Sequence, residues 1–235
     1  MIPIGDDNTG RTITPFINYL LIIINVVVFI FAQRLGSNEA FLMSYALIPE
    51  EILTGRDIVG GGLLHTPINI YGTIFTAMFM HGSIAHIIGN MLYLSIFGDN
   101  LENAMGHLRY LIFYLLCGVL ASAAHVFMAY YTHSGLYIPC IGASGAISGV
   151  LGGYMILFPR NSIRMFVFPF VIRVNAFIAL GLWIALQVLE GMGNLGREGG
   201  GVAYAAHVGG FLVGLLLVRF FATTTPHPKT KYRRY

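Results

Sequence analysis

Long apolar runs separated by short charged connections recur along almost the whole of this chain. No other feature limits its fold so severely. A helix needs about 20 apolar residues, at about 1.5 Å of rise each, to cross a hydrocarbon core. The first run, Pro15 to Gln33, is long enough to do so and lacks a small-residue cleavage pattern, so it reads as a retained helix and not a secretory leader. Composition agrees. Hydrophobic residues make up 56% of the chain and charged residues 10%, against about 25% charged in a soluble domain. Too little polar surface remains to face water on every side.

Six candidate spans fall at about 15–33, 83–102 (with an apolar lead-in from Ile70), 108–130, 144–158, 174–191 and 202–222. The expectation is an all-α, polytopic membrane protein. It is a single six-helix transmembrane domain over 1–222, with a short central fourth helix and a basic cytoplasmic tail over 223–235. The tail, "TTTPHPKTKYRRY", reads as disordered. The connection 34–72 carries Glu39, Glu50, Glu51, Arg56 and Asp57 and so is not a span. Its apolar piece "EAFLMSYALI" is too short to cross and reads as part of a structured loop dipping into the interface.

Six spans place both termini on one side. Ten cationic residues then lie inside (Arg11, Arg109, Arg160, Arg164, Arg173, Arg219, Lys229, Lys231, Arg233, Arg234) and three outside (Arg34, Arg56, Arg197). Ten against three fits the positive-inside rule. A bacterial inner membrane with both termini cytoplasmic is the simplest placement, since no organelle-targeting segment precedes the first span. The tail then faces the inner leaflet. No basic nucleic-acid face is present. Cys117 and Cys140 make neither a disulfide framework nor a metal cluster.

The fourth run is odd. Ser144 to Phe158 is about 22 Å of helix, against a hydrocarbon core of about 30 Å. With its inner end at "FPRNSIR", Ser144 lies several ångströms below the outer face. Irregular backbone at that depth is tolerated only where it is buried in protein or lines a wet cavity.

Span interiors lack carboxylates but hold histidines, and an ionisable group in a span is a functional candidate. His86 and Asn90 share one helix face, one turn apart. Alone they could be interhelical glue. His81 lies off that face, at the outer end of the span, in a supporting or purely structural role. His125 lies near the outer end of the third span. His207 lies roughly 9 Å into the sixth, which matches the depth of Ser144. Gly210 and Gly214 follow it at a four-residue period, and Gly145, Gly149 and Gly153 repeat that period on the fourth span. Small residues so spaced let helix backbones approach closely, which would bring Ser144 to His207.

A hydroxyl beside a base is what a serine nucleophile needs. No Asp or Glu is placed to orient the imidazole, so the expected machinery is a Ser144–His207 dyad. The free N–H groups at the start of the Ser144 helix, together with His86 and Asn90, are the candidate oxyanion donors. Metal ligation is not expected, since the H-x-x-x-H spacing is not met, and no cofactor is called for. Cys140, four residues before Ser144, is a rival nucleophile, though buried cysteines are commonly inert.

These residues resemble the rhomboid intramembrane serine proteases. The resemblance runs from about residue 46 to 222. "TAMFMHGSIAHIIGNMLYL" is similar to the family's H…H-x-x-x-N motif. "FGDNLENAMGHLRYL" is similar to its E-x-x-x-G-x-x-R turn, through Glu102, Gly106 and Arg109. "GASG", Gly142 to Gly145, is similar to the nucleophile motif, and "AHVGGFLVG" to A-H-x-x-G-x-x-x-G. The resemblance implies Ser144 as nucleophile, His207 as base and then acid, and His86, Asn90 and the Ser144 N–H around the oxyanion. It also implies single-span membrane-protein substrates. Trp183 and Gln187 on the fifth helix, and the 191–201 loop, would gate and cap the site. Glu102 and Arg109 would form a cytoplasmic clamp. Two positions depart from some members: Ser148 stands where an aromatic follows the nucleophile, and Gly89 where a bulky residue precedes the asparagine. A catalytically silent relative that binds membrane clients is the alternative, although such relatives typically lack the serine or histidine. A channel or transporter is disfavoured by the lack of a carboxylate relay or inverted repeat.

Overall fold

The computed structural model describes residues 2–193 and 204–223. The chain begins with strand β1 (Ile2–Gly5) and helix α1 (Phe16–Val27), which runs on through a π-helical turn, Val28–Ala32. The long connection folds into α2 (Glu39–Tyr45), α3 (Pro49–Thr54) and the single turn α4 (Thr73–Thr76). The Asn38 side chain caps α2 by accepting from the Phe41 N–H, and Gly55 ends α3 in the left-handed conformation. Then come α5 (Ile84–Met105), α6 (His107–Thr132), α7 (Ser144–Leu157), strands β2 (Ser162–Val167) and β3 (Phe170–Asn175), α8 (Ala176–Gly193) and α9 (Tyr204–Phe221).

Of these, α6, α8 and α9 are long and apolar enough to cross a membrane by length and composition, while Phe16–Ala32 and Ser144–Leu157 are shorter apolar helices. Large apolar side chains such as Phe31, Phe127, Leu216 and Phe220 point outward, as lipid-facing residues do. The chain is an integral, multi-pass membrane protein built as a helical bundle.

The centre of the bundle is α7. Every residue from Gly145 to Tyr154 is buried, the signature of a helix surrounded by others. Six of those ten residues are glycine, alanine or serine, and their smallness brings neighbours onto its backbone. A Cβ on Gly210 of α9 would collide with the Gly145 carbonyl oxygen, and one on Gly214 with that of Gly149. From the other side, a Cβ on Gly152 would collide with the Phe211 carbonyl. The expected glycine faces meet, with one refinement. The bare side of Gly145 is turned to Ala121 of α6 at 2.8 Å, and that of Gly149 to Cys117. Gly152 is the α7 glycine that admits the α9 backbone.

Polar groups tie the other end. Glu102, fully buried, accepts the N–H groups of Ile17 and Asn18 at 2.9 and 2.7 Å, capping α1. Its side-chain partner is His107, 2.5 Å away, and Arg109 is exposed. The expected Glu102–Arg109 clamp is therefore a Glu102–His107 contact that anchors α1. The cause is Gly106, whose φ of 77° turns the chain directly from α5 into α6 and swings His107 back over the carboxylate.

A three-stranded antiparallel sheet, ordered β1-β2-β3, supplements the all-α expectation. β2 alternates Ile163 and Met165 inward with Arg164 and Phe166 outward, facing Val174 and Ile172 of β3. The 194–203 segment of the expected cap, the tail beyond 223 and Met1 lie outside the described residues.

Candidate active site

Gly142 prepares the site. Its φ of 126° belongs to glycine, and the turn it makes delivers Ser144 as the first residue of α7. His207 sits in the first turn of α9, across the glycine contact. The Ser144 Oγ and His207 Nε2 are 2.8 Å apart. The other ring nitrogen, Nδ1, is 2.5 Å from Oε1 of Gln187 on α8. Trp183, one turn before Gln187, lies against the same imidazole with ring centres 6.1 Å apart.

His86 approaches from α5. Ser83 caps that helix by accepting the His86 N–H at 3.1 Å. The Gly82 N–H points at His86 Nδ1, 3.4 Å away, which leaves Nε2 to carry the proton. That nitrogen faces the empty side of Gly142: a Cβ there would lie 2.9 Å from His86 Nε2 and 3.6 Å from Ser144 Oγ. The amide nitrogen of Asn90 is buried and has no partner among the described residues. His81 is fully buried, with its ring edge-on to His86 at 5.0 Å. Gln33 fixes its backbone, accepting the His81 N–H at 2.9 Å and donating to its carbonyl at 2.8 Å.

Two cavities meet at Ser144, His207 and Asn90. One, of about 450 Å³, runs under the loop that carries Cys140 and Gly142 and along α5 and α6. The other, of about 270 Å³, opens between α5 and α8 and is lined by Tyr93, Trp183, Gln187, Glu190 and Tyr204. The arrangement can move a proton from Ser144 to His207. It also holds a space faced by one imidazole N–H and one unused amide.

Cys140 lines the larger cavity, but its backbone pairs with Leu47. Burial pushes its thiol up to about 12, far from the range of a reactive thiolate. His125 is half-buried on α6. Ser148 donates to the Ser144 carbonyl at 2.6 Å, and Gly89 faces open space. Among the described residues no group of three or more His, Cys, Asp or Glu side chains is arranged to hold a metal ion. Sequence reasoning missed the contact of Gln187 with the imidazole. Its four-residue spacing from Trp183, like that of His86 and Asn90, was the available signal.

The family model for the Rhomboid domain matches residues 69–223. "Rhomboid protein 1, mitochondrial" of Saccharomyces cerevisiae is 30% identical over 84% of this chain and 51% of its own length. "Rhomboid protease AarA" of Providencia stuartii is 28% identical over 84% of this chain and 69% of its own. "Rhomboid protease GluP" of Bacillus subtilis is 34% identical over 58% of this chain and 26% of its own. The chain thus spans about half the length of the yeast relative. Since the matched domain covers both Ser144 and His207 and most of the bundle around them, the chain belongs to the rhomboid family.

Proposed function

We propose that the protein is an intramembrane serine endopeptidase that cleaves membrane-protein substrates in or near their transmembrane helix. The 2.8 Å separation of Ser144 Oγ and His207 Nε2 carries this reading. The Ser144 proton passes to Nε2 as Oγ bonds to the scissile carbonyl carbon. The carbonyl electron pair moves onto oxygen, which accepts from His86 Nε2–H, the Asn90 amide and the Ser144 N–H. Collapse breaks the C–N bond, His207 returns its proton to the leaving amine, and water frees the acyl group by the same steps reversed. Two relatives named as proteases, AarA and GluP, support the activity. The cleft between α5 and α8 is the side entrance we assign to a substrate helix, with Trp183 at its inner end. We place the chain in a bacterial inner membrane, and the ten-to-three distribution of cations supports an orientation with both termini cytoplasmic.

A silent client-binding relative is the second reading. It is disfavoured because nucleophile and base are both in place. The test is cleavage of a single-span substrate by the full chain in liposomes, with fluorophosphonate labelling of Ser144. Wild type should cleave and label, Ser144→Ala should do neither, and His207→Ala should lose at least a hundredfold in both rates. Cleavage that survives both substitutions overturns the dyad. A wild type that neither cleaves nor labels favours the silent reading.

A further inference from the structure

We infer that Gln187 is the positioning residue that fixes the tautomer of His207. The inference rests on the dyad reading above. A neutral imidazole works as a base toward Ser144 only if Nε2 holds its lone pair and Nδ1 holds its proton. In an apolar bundle something must accept that proton's hydrogen bond. A carboxylate does this in the familiar triads, and among the described residues none contacts Nδ1. Glu190, one turn along α8, is committed to Tyr204. The group in contact with Nδ1 is the Gln187 carbonyl oxygen, at 2.5 Å.

The geometry is specific. His207 bridges Gln187 and Ser144 through its two ring nitrogens, Nδ1 at 2.5 Å and Nε2 at 2.8 Å. Trp183 on the same face of α8 lies against the imidazole, so α8 supplies both the acceptor and the wall. The Ser148 hydroxyl of α7 is held at the Ser144 carbonyl, to which it donates at 2.6 Å. A neutral acceptor also differs chemically from a carboxylate. It orients the ring without the charge that would stabilise an imidazolium.

The test uses full-length protein in detergent or liposomes, with fluorophosphonate labelling of Ser144 and cleavage of a single-span substrate as readouts. Labelling avoids any effect on substrate entry. Gln187→Met keeps the length of the side chain and removes the acceptor. Gln187→Glu keeps the acceptor and adds charge. The ionisable and polar groups around His207 are unchanged in both: His86 of α5, His125 of α6, Ser144 of α7, Glu190 of α8 and Tyr204 of α9. Gln187→Met should slow labelling and kcat by about tenfold to a hundredfold, with KM within about threefold. Gln187→Glu should label within about threefold of wild type at pH 8, and the acidic limb of its pH–rate profile should move up by about one unit or more, because the carboxylate favours the imidazolium. Wild-type labelling rates in Gln187→Met overturn the inference alone. So does a Gln187→Glu protein that falls as far as Gln187→Met with its acidic limb unmoved. A wild type unlabelled at Ser144 overturns the dyad reading, and this inference with it.

Discussion

Gly142 is the single residue on which the site geometry most depends. Its φ of 126° is one that side chains rarely adopt, and its bare face is the space between His86 Nε2 and Ser144 Oγ. Gly142→Ala therefore acts twice. Backbone strain costs about 1–3 kcal/mol, and the methyl group stands where the oxyanion is placed. We expect cleavage to fall at least a hundredfold, with a lower unfolding temperature and the rest of the helical signal intact. Unchanged cleavage by the purified variant would remove the oxyanion assignment from this space. The four side chains around that space were legible in the sequence for one reason. Ser144, His86, Asn90 and His207 are polar groups in apolar runs, where water cannot explain them. Gln187 was less legible because it falls near the end of its run, in "LQVLEG", where an amide is unremarkable. Its role emerges only when α8 and α9 are side by side.

At the scale of the element, α7 and α9 differ sharply from α8. The first two touch backbone to backbone at Gly145, Gly149 and Gly152. Only Ala176 and Leu180 of α8 are buried. The acceptor of Nδ1 belongs to α8, whereas the Ser144–His207 contact is made between α7 and α9 alone. Two alanine substitutions expose the difference. Gly214→Ala drives a methyl group into the Gly149 backbone and should destabilise the protein by about 1–3 kcal/mol or more, since overpacking forces the helices apart. Gly181→Ala, with no atom within 4 Å of the new methyl, should be neutral or stabilising by about 0.5–1 kcal/mol. Thermal unfolding in detergent measures both, and equal effects would refute the close-packed interface. Elements read from hydropathy were those with long periodic runs. The sheet was not, because β1 has four residues and β2 and β3 six each, too short for a two-residue period to stand out beside the long apolar runs. The arginines at 164 and 173, read as loop charges, stand opposite one another across the β2–β3 pair.

Across the whole molecule, the N-terminal segment stitches the inner end together. Asp6 accepts from the Tyr154 hydroxyl at 2.5 Å and from Asn100 at 2.8 Å, and Arg11 pairs with Asp99 at 2.6 Å. Burial pushes the Asp6 carboxyl up from 3.8 to about 6, against the pull of the Tyr154 and Asn100 hydrogen bonds. The folded protein therefore holds that proton more tightly than the unfolded chain does. The stability from this group is complete below about pH 4 and is lost as pH rises to about 6, by at most about 3 kcal/mol. Asp6→Asn should remove this slope and raise the unfolding midpoint at pH 7.5 relative to wild type, with little difference at pH 4. Parallel midpoint-against-pH curves for the two proteins would refute the assignment.

The glycine seam between α7 and α9 has a consequence for restraint. It fixes Ser144 Oγ and His207 Nε2 2.8 Å apart when the chain folds, before any substrate is near. On the proposed function, the Ser144–His207 half of the machinery is set at rest, and only the α8 side of the imidazole is left to adjust. On that reading, protection of the surrounding membrane proteins falls to admission past α8: how rarely a helix leaves the lipid, unwinds and reaches Ser144. Discrimination between clients and bystanders is thus expected in the rate of arrival and not in the strength of resting-state binding.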